Sequence, residues 1–383
     1  MTISLGDFGG SSSRVVMARP FSSIAVLGAG SWGTALALTA VHAGRRVMLW
    51  GRRQDVIDEI NVKRRNTQYL DDIELPEKLQ ATTDLAEAVS SAECILMVTP
   101  STTIREMARR LNKVLAPGVP VIVCAKGVEL GTGKLMTEVA GEEMPGHEVA
   151  ALSGPTFADE TAKRLPTAVT VASNFTLNKN TRDNDILAAR VAVSLGTETF
   201  RPFISDDVIG VEIGGAVKNV LAILCGMVIG AGFAANTRAA LITRGLDEMK
   251  ALAEALGGRR ETVTGLAGIG DLILTCSSTQ SRNLRYGMQL GEGIPRDQFF
   301  GGKSVVVEGI ANAASIMKLA QSKRVSMPIV TAVYSVVHER KDLAETFSKL
   351  WTQPFEAEPR AISIELPHPF GSDGAKRLAE LMS

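Results

Sequence analysis

The first two hundred residues alternate short apolar runs with longer stretches in which alanine, leucine and charged residues recur at helical spacing. The apolar runs are "SIAVLG", "RRVMLW", "AECILMVTP", "GVPVIVCAKG", "EVAALSGP", "PTAVTVAS" and "TETFRPF". Short apolar runs that alternate with helices are typical of parallel strands buried on both faces. The pattern therefore predicts an α/β fold with a doubly wound parallel sheet over residues 22–205.

The pattern changes after residue 205. Long stretches rich in alanine, glycine, leucine and methionine follow, and β-branched clusters are sparse until "KSVVVEG". This composition predicts a mostly α-helical substrate domain over residues 206–349. Residues 1–21 lack the apolar core of a signal peptide and are expected to form a disordered arm. Residues 350–383, proline-rich and aperiodic, are expected to form a loose C-terminal tail.

One uncharged segment, "NVLAILCGMVIGAGFAANT" at residues 219–237, is nearly long enough to span a bilayer. It contains three glycines and two asparagines, has no tryptophan or tyrosine at its edges, and directly follows Lys218. We interpret it as a buried core helix that breaks near Gly230 and Gly232, and expect no stable membrane insertion. A membrane span is the alternative.

Charge and cysteine content narrow the function classes. Lys+Arg and Asp+Glu are both 41, which gives no reason to expect nucleic acid or an anionic membrane as a partner. The four cysteines form no C-x-x-C pair, so a reduced, cytoplasmic protein is the simpler expectation. The four histidines show no paired-ligand spacing, and we predict no metal site.

The stretch Gly28-Ala29-Gly30-Ser31-Trp32-Gly33 has the form G-x-G-x-x-G, between a predicted strand and a predicted helix. In a Rossmann-type fold Gly28 would form the tight turn, and Gly30 would let the pyrophosphate approach the backbone. Gly33 would let helix and strand pack closely, while the helix N-terminus would face the phosphates. The context predicts a dinucleotide site.

The choice of dinucleotide depends on the end of the second predicted strand. NAD enzymes carry an acid about 20 residues after the glycines, where it binds the ribose 2′-hydroxyl. Here the strand is followed by Arg52 and Arg53, and the first acid is Asp55. Two arginines suit a 2′-phosphate or stacking on adenine, so NADP(H) is favoured and NAD(H) is still an option. A solvated turn without a ligand is the alternative.

A lysine in the second half is embedded in the apolar stretch "VEIGGAVKNVLAI". A buried ammonium has a lowered pKa, so Lys218 could exchange protons near neutrality. The alternative is that Lys218 pairs with Glu212 or extends to the surface. The two readings are equally supported by the residues themselves.

Three further stretches carry polar groups at predicted element ends. "SSTQSRN" offers Ser281, Arg282 and Asn283 at the start of a helix, a set that suits a phosphomonoester, although a plain capped turn is the alternative. Asp271 in "GLAGIGDLILTC" reads as a helix N-cap. Lys126 in "CAKGVE" follows a strand and lies beside the crevice expected in a doubly wound sheet, and "LSGPTFADE" forms a turn after another strand.

With these stretches in order, the chain resembles the bacterial-type NAD(P)-dependent glycerol-3-phosphate dehydrogenases from about residue 22 to 345. The resemblance rests on "VLGAGSWGTALAL", "AKGVE", "LSGPTFADE", "VEIGGAVKNVLAI", "NTRAALITRGL", "GLAGIGDLILTC", "SRN" and "VVEG". It implies a Rossmann domain, a helical substrate domain and a cleft between them. It also implies reversible reduction of dihydroxyacetone phosphate to sn-glycerol 3-phosphate, the backbone source for glycerophospholipid synthesis.

The resemblance assigns roles residue by residue. Lys218 matches the family's catalytic lysine, the proton donor and acceptor. Positions that contact the substrate are matched by Lys126, Gly154, Thr156, Lys218, Asp271, Ser281, Arg282 and Asn283. Positions that contact the cofactor are matched by Ser31, Trp32, Arg52, Arg53, Tyr69, Lys126, Ala158, Arg282, Val306 and Glu308. Family members commonly have a histidine-arginine pair where this chain has Arg52-Arg53, which favours NADP(H) further.

Two other classes remain as alternatives. Hydroxyacid and phosphogluconate dehydrogenases share the glycine loop, a helical second domain and a lysine, but "SRN" and "NTRAALITRGL" argue against them. A non-catalytic NADP(H)-binding regulator would be expected to lack the lysine or the phosphate-binding residues. The sequence leaves the oligomeric state open, a homodimer included.

Overall fold

The computed structural model describes residues 16–177, 181–356 and 365–381. Its strands are β1 (Ser23–Leu27), β2 (Arg46–Trp50), β3 (Gln80–Thr82), β4 (Cys94–Met97), β5 (Val121–Val123), β6 (Val149–Ser153), β7 (Thr167–Ala172), β8 (Phe200–Ser205), β9 (Phe355–Glu356) and β10 (Glu365–Leu366). Its helices are α1 (Ser31–His42), α2 (Gln54–Asp58), α3 (Leu85–Val89), α4 (Ile104–Leu111), α5 (Met136–Glu143), α6 (Ala158–Ala162), α7 (Leu187–Leu195), α8 (Val208–Gly230), α9 (Ala235–Ala255), α10 (Arg260–Val263), α11 (Asp271–Ser277), α12 (Arg282–Gly291), α13 (Glu308–Ser322), α14 (Pro328–Val337), α15 (Leu343–Trp351) and α16 (Gly371–Glu380).

The main sheet has the strand order β3-β2-β1-β4-β5-β6-β7-β8. Parallel neighbours flank β1 on both sides, and Ile24 lies between Val47 of β2 and Cys94 of β4. The chain crosses over β1 between β3 and β4, which opens a crevice at the carboxyl ends of β1 and β4. The predicted Rossmann-type doubly wound sheet is confirmed, and a mostly helical second half follows it.

The prediction of a parallel sheet is wrong for its last two strands. β7 runs antiparallel to β6, with Ala172 opposite Ala151, and β8 runs parallel to β7. The connection from β6 to β7 spans residues 154–166 and contains the five-residue helix α6. Strands β6 and β7 are both largely buried apolar runs, so their sequence pattern does not reveal their relative direction.

Helix α8 is the centre of the second half and is buried along nearly its whole length. It packs against α9, α11, α12, α13 and α14. Among the described residues it is the one helix long and apolar enough to cross a membrane, yet 89% of its apolar window is buried inside the protein. It ends at Gly230, close to the predicted break, and its burial supports the core-helix interpretation.

Helices α8 and α12 touch through glycine. A methyl group built on Gly226 would lie 2.9 Å from Gly287 Cα and would overlap the carbonyl oxygen of Leu284. A methyl group on Gly287 would likewise overlap the carbonyl oxygen of Ile223. The two backbones are therefore in direct contact, and no side chain separates them at this point.

Both chain ends differ from expectation. The arm was expected to be disordered through residue 21, but Phe21 is 1% exposed and its N–H donates to Ser194 Oγ at 2.7 Å. The guanidinium of Arg190 covers its ring at 3.9 Å. An aromatic side chain at the arm's end thus supplies an anchor that composition alone does not indicate. The remainder of the arm, residues 1–15, lies outside the described residues.

The expected loose tail is wrong for residues 365–381, since β10 pairs with β9 and α16 packs against α15. Leu378 of α16 reaches the core of the helical half. Gly371 and Gly374 lower the helix propensity of this stretch, and the contact with α15 stabilises the helix. Residues 357–364 and 382–383 lie outside the described part of the chain.

Candidate active site

A buried carboxylate joins two ammonium groups where the sheet meets α8. Lys218 Nζ donates to Asp271 Oδ1 at 2.6 Å, and Lys126 Nζ donates to Asp271 Oδ2 at 2.5 Å. Asp271 is 0% exposed and Lys218 is 7% exposed. One carboxylate thus faces two cations, an arrangement that leaves positive charge available to an anionic or electron-rich ligand.

The elements that carry this cluster meet because α8 presents glycine to the sheet. Lys126 follows β5 and also donates to the carbonyl oxygen of Gly154, just after β6, at 3.2 Å. A methyl group built on Gly215 of α8 would lie 2.8 Å from Ser153 Oγ and 3.2 Å from Lys126 Cγ. Glycine at position 215 therefore lets α8 lie directly against the carboxyl ends of β5 and β6.

The ammonium of Lys218 is poised between its two protonation states. Burial lowers its pKa to about 8, because a charged group loses its hydration there, and the positive charge of Lys126 acts in the same direction. The carboxylate of Asp271 opposes this shift. Lys218 Nζ also donates to Thr275 Oγ1 at 2.8 Å. Two of its three N–H groups are used in this way, and one is left for a ligand.

Two expectations about these residues are wrong. Asp271 does not cap a helix, since the π-helical turn Leu266–Gly270 runs directly into α11 and the Asp271 side chain extends to the lysines. Lys218 pairs with Asp271 rather than Glu212. Glu212 instead accepts hydrogen bonds from the N–H of Thr137 at 3.0 Å and from the Thr137 hydroxyl. Burial raises the pKa of Glu212 to about 7.

The three candidate phosphate ligands at the start of α12 differ in burial and in whether they already have hydrogen-bond partners in the protein. Ser281 is the N-cap, and its Oγ accepts from the N–H of Leu284 at 3.2 Å. Arg282 is exposed and makes no hydrogen bond or ion pair to any other described residue. Asn283 is buried, and its Oδ1 accepts from the N–H of Gly309 at 2.9 Å. Arg282 is thus the mobile cation of the set, next to a helix N-terminus.

An amide network links α8, α12 and α13 beside the lysine. Asn283 Nδ2 donates to Asn219 Oδ1 at 2.9 Å, and Asn219 Nδ2 donates to Glu308 Oε2 at 3.1 Å. The network ties a predicted substrate residue, Asn283, to a predicted cofactor residue, Glu308. Asn219 directly follows Lys218 in the sequence. Glu308, the first residue of α13, is therefore hydrogen-bonded to the residue next to the lysine.

The glycine loop has a shape that fits a dinucleotide. Gly28 has a φ of +127°, and a methyl group there would lie 2.8 Å from the carbonyl oxygen of Val98. Gly30 is different, because a methyl group built on it would meet no described atom within 4 Å. Among the described residues no side chain caps α1, and the buried hydroxyl of Thr99 after β4 has no partner. Open space, free N–H groups and an unsatisfied hydroxyl therefore occur together at the crevice.

The residues expected to meet the adenosine end lie near one another. Ser31 Oγ donates to the carbonyl oxygen of Tyr69 at 3.0 Å. Arg53 donates two hydrogen bonds to Asp55, one of them from Nε to Oδ1 at 3.0 Å, and a third to Gln68. Arg52 is exposed beside it. The first acid after β2 is thus held by Arg53.

The remaining predicted residues occupy the rim of the crevice. Trp32, in the first turn of α1, packs against the core of the sheet half. Thr156 donates to the carbonyl oxygen of Gly154 at 3.3 Å, and Ala158 begins α6. Val306, in the segment before α13, is 58% exposed. Thr156 thus shares the Gly154 carbonyl oxygen with Lys126, whereas within the described chain no hydrogen bond joins Trp32, Ala158 or Val306 to the lysine cluster.

Sequence reasoning missed three polar residues next to the cluster. Thr275 lies one helical turn after Asp271 and accepts from Lys218, and Asn219 lies beside that lysine. Asn312 Nδ2 donates to the carbonyl oxygens of Lys126 and Ala216, at 3.3 Å in both cases. Thr275 and Asn219 interrupt apolar helical runs, and that interruption was the available signal.

Comparison with known proteins extends over both halves of the chain. The family model for the N-terminus of NAD-dependent glycerol-3-phosphate dehydrogenase matches residues 23–179. The model for the C-terminus of the same enzyme matches residues 207–348. The glycine loop and Lys126 lie in the first match, while Lys218, Asp271 and Arg282 lie in the second.

Individual relatives agree. A glycerol-3-phosphate dehydrogenase [NAD(P)+] of Rhodospirillum rubrum is 46% identical over 335 residues, which cover 88% of this chain and 93% of the relative. The crystal structure of glycerol-3-phosphate dehydrogenase from Coxiella burnetii has a TM-score of 0.80 at 39% identity and covers 87% of this chain and 99% of its own. The structure of the Saccharomyces cerevisiae enzyme has a TM-score of 0.75 at 26% identity, with the same coverage of 87% and 99%.

Proposed function

The chain belongs to the NAD(P)-dependent glycerol-3-phosphate dehydrogenases, and from this premise we propose which of its residues carry the reaction. It is an oxidoreductase that uses NAD(H) or NADP(H) and reversibly reduces dihydroxyacetone phosphate to sn-glycerol 3-phosphate. One observation carries the assignment of roles. It is the buried, doubly hydrogen-bonded ammonium of Lys218, whose pKa of about 8 lies near neutrality.

Lys218 is the proton donor and acceptor. The bound nicotinamide supplies or accepts the hydride at C2 of the substrate. As the C2 carbonyl is reduced, its oxygen gains negative charge, which the Lys218 ammonium stabilises and then protonates. In the reverse direction neutral Lys218 takes the proton from the C2 hydroxyl. Asp271 and Thr275 hold Nζ in place through the two hydrogen bonds at 2.6 and 2.8 Å.

Lys126 supplies the second positive charge of the cluster. Its ammonium is fixed by Asp271 and by the Gly154 carbonyl, so it has a set position at the end of β5. We assign it contacts with both substrate and cofactor, because it lies between the sheet crevice and α8. Gly154 and Thr156 form the adjacent wall of the substrate site, and Asp271, expected from the resemblance to contact the substrate, is buried and positions the two lysines instead.

The phosphate of the substrate binds at the start of α12. Arg282 is a guanidinium without an internal partner in the described chain, and it can donate to two phosphate oxygens at once. The N-terminus of α12, with Ser281 and Asn283, adds oriented donors. Holding the phosphate contributes orientation rather than chemistry, since it fixes C2 relative to Lys218.

The cofactor occupies the crevice above the glycine loop. Gly28, Gly30 and Gly33 shape the loop, and Ser31 and Trp32 in the first turn of α1 border the pyrophosphate. Further contacts are assigned to Arg52, Arg53, Tyr69, Lys126, Ala158, Arg282, Val306 and Glu308. Open space in front of Gly30 and the uncapped start of α1 support this placement.

We propose a preference for NADP(H) over NAD(H). No acid lies at the end of β2, Asp55 is paired with Arg53, and Arg52 is exposed with no hydrogen bond to another described residue, so its guanidinium is available to a 2′-phosphate. Michaelis constants for NADPH and NADH test this choice. Lower values for NADPH, which rise in an Arg52→Ala variant, are expected. A clear preference for NADH would contradict the proposal.

The wider setting is proposed on the same basis. Residues 22–205 and 206–349 act as cofactor and substrate domains on either side of the lysine cluster. The enzyme is cytoplasmic, with α8 buried rather than inserted in a membrane, and a homodimer is the assembly to test for. Its product supplies the backbone for glycerophospholipid synthesis.

The first experiment follows absorbance at 340 nm with NADPH or NADH and dihydroxyacetone phosphate. Wild type should consume the cofactor only when the substrate is present. Lys218→Ala should lose about a thousandfold in turnover while it still binds cofactor, because the proton donor is gone. Lys163→Ala, which removes an exposed lysine paired with Asp159, is the matched control. A Lys218→Ala variant with most of its activity would refute the assigned role.

A further inference from the structure

Ser153 carries a buried hydroxyl without a partner. It is the last residue of β6, is 5% exposed, and its Oγ makes no hydrogen bond to any described residue. Burying a hydroxyl without a hydrogen bond is unfavourable, so native structures rarely leave such a group unsatisfied unless it has a ligand or a function. The hydroxyl therefore needs an explanation.

Its position places it at the floor of the lysine cluster. Alternation along β6 puts Ala151 and Ser153 on the face that packs against α8, where Ala151 contacts a cluster containing Val211. A methyl group on Gly215 would lie 2.8 Å from Ser153 Oγ. Gly215 and Lys218 are three positions apart on one face of α8.

Neighbouring backbone supports the same location. Gly154, the next residue, accepts from Lys126 Nζ at 3.2 Å through its carbonyl oxygen. The Lys126 side chain passes beside Gly215 as well, since the same methyl group would lie 3.2 Å from Lys126 Cγ. Ser153 thus lies under the two lysines that the proposed function places around the substrate.

The substrate has one polar group that the proposed function does not bind. Dihydroxyacetone phosphate carries a phosphate, a C2 carbonyl and a terminal hydroxyl on C1. The phosphate is assigned to α12 and the carbonyl oxygen to Lys218. The C1 hydroxyl lies on the opposite side of C2 from the phosphate and still needs a partner. A small uncharged hydroxyl that can donate and accept is suited to it.

We propose that Ser153 Oγ binds the C1 hydroxyl of the substrate and selects for ketone phosphates that carry it. This inference rests on the proposed function. It makes Ser153 a specificity-determining residue, because a substrate without the hydroxyl leaves the buried Ser153 hydroxyl unpaired. Selection by a buried polar group is stronger than selection by pocket shape alone.

The test compares two substrates in two variants. Dihydroxyacetone phosphate carries the C1 hydroxyl, and hydroxyacetone phosphate has hydrogen in its place. We expect Ser153→Ala to lower kcat/KM for dihydroxyacetone phosphate by about tenfold or more, while kcat/KM for hydroxyacetone phosphate stays within about twofold. Ser348→Ala is the matched control, because Ser348 is also buried with an unpartnered hydroxyl but lies on α15. It should change neither value.

The outcomes distinguish a wrong role for Ser153 from a wrong proposed function. An equal loss on both substrates, or no loss on either, would overturn the assignment of Ser153. A wild-type enzyme that is inactive on dihydroxyacetone phosphate would instead overturn the proposed function. Cofactor affinity of Ser153→Ala should match wild type, and its unfolding midpoint should be equal or higher because an unpaired buried hydroxyl is removed. A lower midpoint or a large change in cofactor affinity would show a structural role and count against the proposal.

Discussion

Lys218 donates to Asp271 at 2.6 Å in a site from which water is nearly excluded. Burial lowers the pKa of Lys218 to about 8, and Asp271 prevents a larger fall. A lysine at its ordinary pKa would be charged near neutral pH and would be a poor base. A buried lysine without a counterion would have a still lower pKa, would be neutral near neutral pH and could not act as an acid. The pair therefore places the lysine where both directions of the reaction can proceed.

The pH dependence of the two directions should be opposite. Reduction needs Lys218 charged, so kcat/KM for dihydroxyacetone phosphate should fall as pH rises through about 8. Oxidation of glycerol 3-phosphate needs Lys218 neutral, so its kcat/KM should rise over the same interval. Initial rates in both directions between about pH 7 and 10 measure this. Parallel profiles in the two directions would contradict the role of Lys218.

Asp271→Asn should move the reduction profile to lower pH. The carboxylate raises the pKa of Lys218, so its loss lets that pKa fall below about 8. The buried ammonium of Lys218 and the partly buried ammonium of Lys126 also lose their counterion, and the free energy of unfolding should fall by about 3–5 kcal/mol. Kinetics and urea unfolding measure the two effects. Asp342→Asn, at the exposed cap of α15, is a control for loss of a carboxylate.

Arg282→Ala should lower kcat/KM only for substrates that carry a phosphate. Loss of a charged hydrogen-bond donor should lower kcat/KM for dihydroxyacetone phosphate by about tenfold to a hundredfold, mainly through KM. Activity on dihydroxyacetone, which has no phosphate, should not change when the cofactor is saturating, since Arg282 is also assigned a contact with the cofactor. Arg285→Ala is the matched control, since Arg285 lies on the same helix with its guanidinium 5.4 Å from the Phe300 ring centre. Equal losses in both variants would refute a specific phosphate clamp.

Glu212→Gln should reduce the loss of stability at rising pH. The folded protein holds the Glu212 proton up to a pKa of about 7, whereas the unfolded chain releases it near 4.5. The stabilisation from this group is complete below pH 4.5 and is lost as pH rises through 7. Between about pH 4 and 8, the free energy of unfolding of the variant should fall by about 3 kcal/mol less than that of wild type. Urea unfolding measures this, and curves of equal slope would contradict it.

Patterning predicted the sheet half and the core helix, because burial leaves a direct mark on the sequence. Apolar runs located seven of the eight strands of the main sheet, all except the short strand β3, and the uncharged segment located the end of α8 near Gly230. Strand direction leaves no such mark, which is why the reversal at β7 was missed. Contacts such as Arg190 over Phe21 join residues 169 positions apart, and local periodicity carries no information about them.

In the candidate site, too, contacts between residues close in sequence could be predicted and contacts between distant residues could not. Glu212 was weighed as a partner for Lys218 because it is near in sequence, but residues six positions apart on a helix point to different faces. The true partner, Asp271, is 53 positions away and is brought in by the turn before α11. Thr275 was within reach of sequence reasoning, since it follows Asp271 by one helical turn.

The glycine contact between α8 and α12 has a consequence for the geometry of the site. Lys218 is carried by α8 and Arg282 begins α12, so the span between proton donor and phosphate clamp is set where Gly226 meets Gly287. Backbone against backbone cannot be compressed, and any side chain there would push the helices apart. The separation of the two helices is therefore set by the backbone itself, which fixes the helix of the proposed proton donor against the helix that begins with the proposed phosphate ligand.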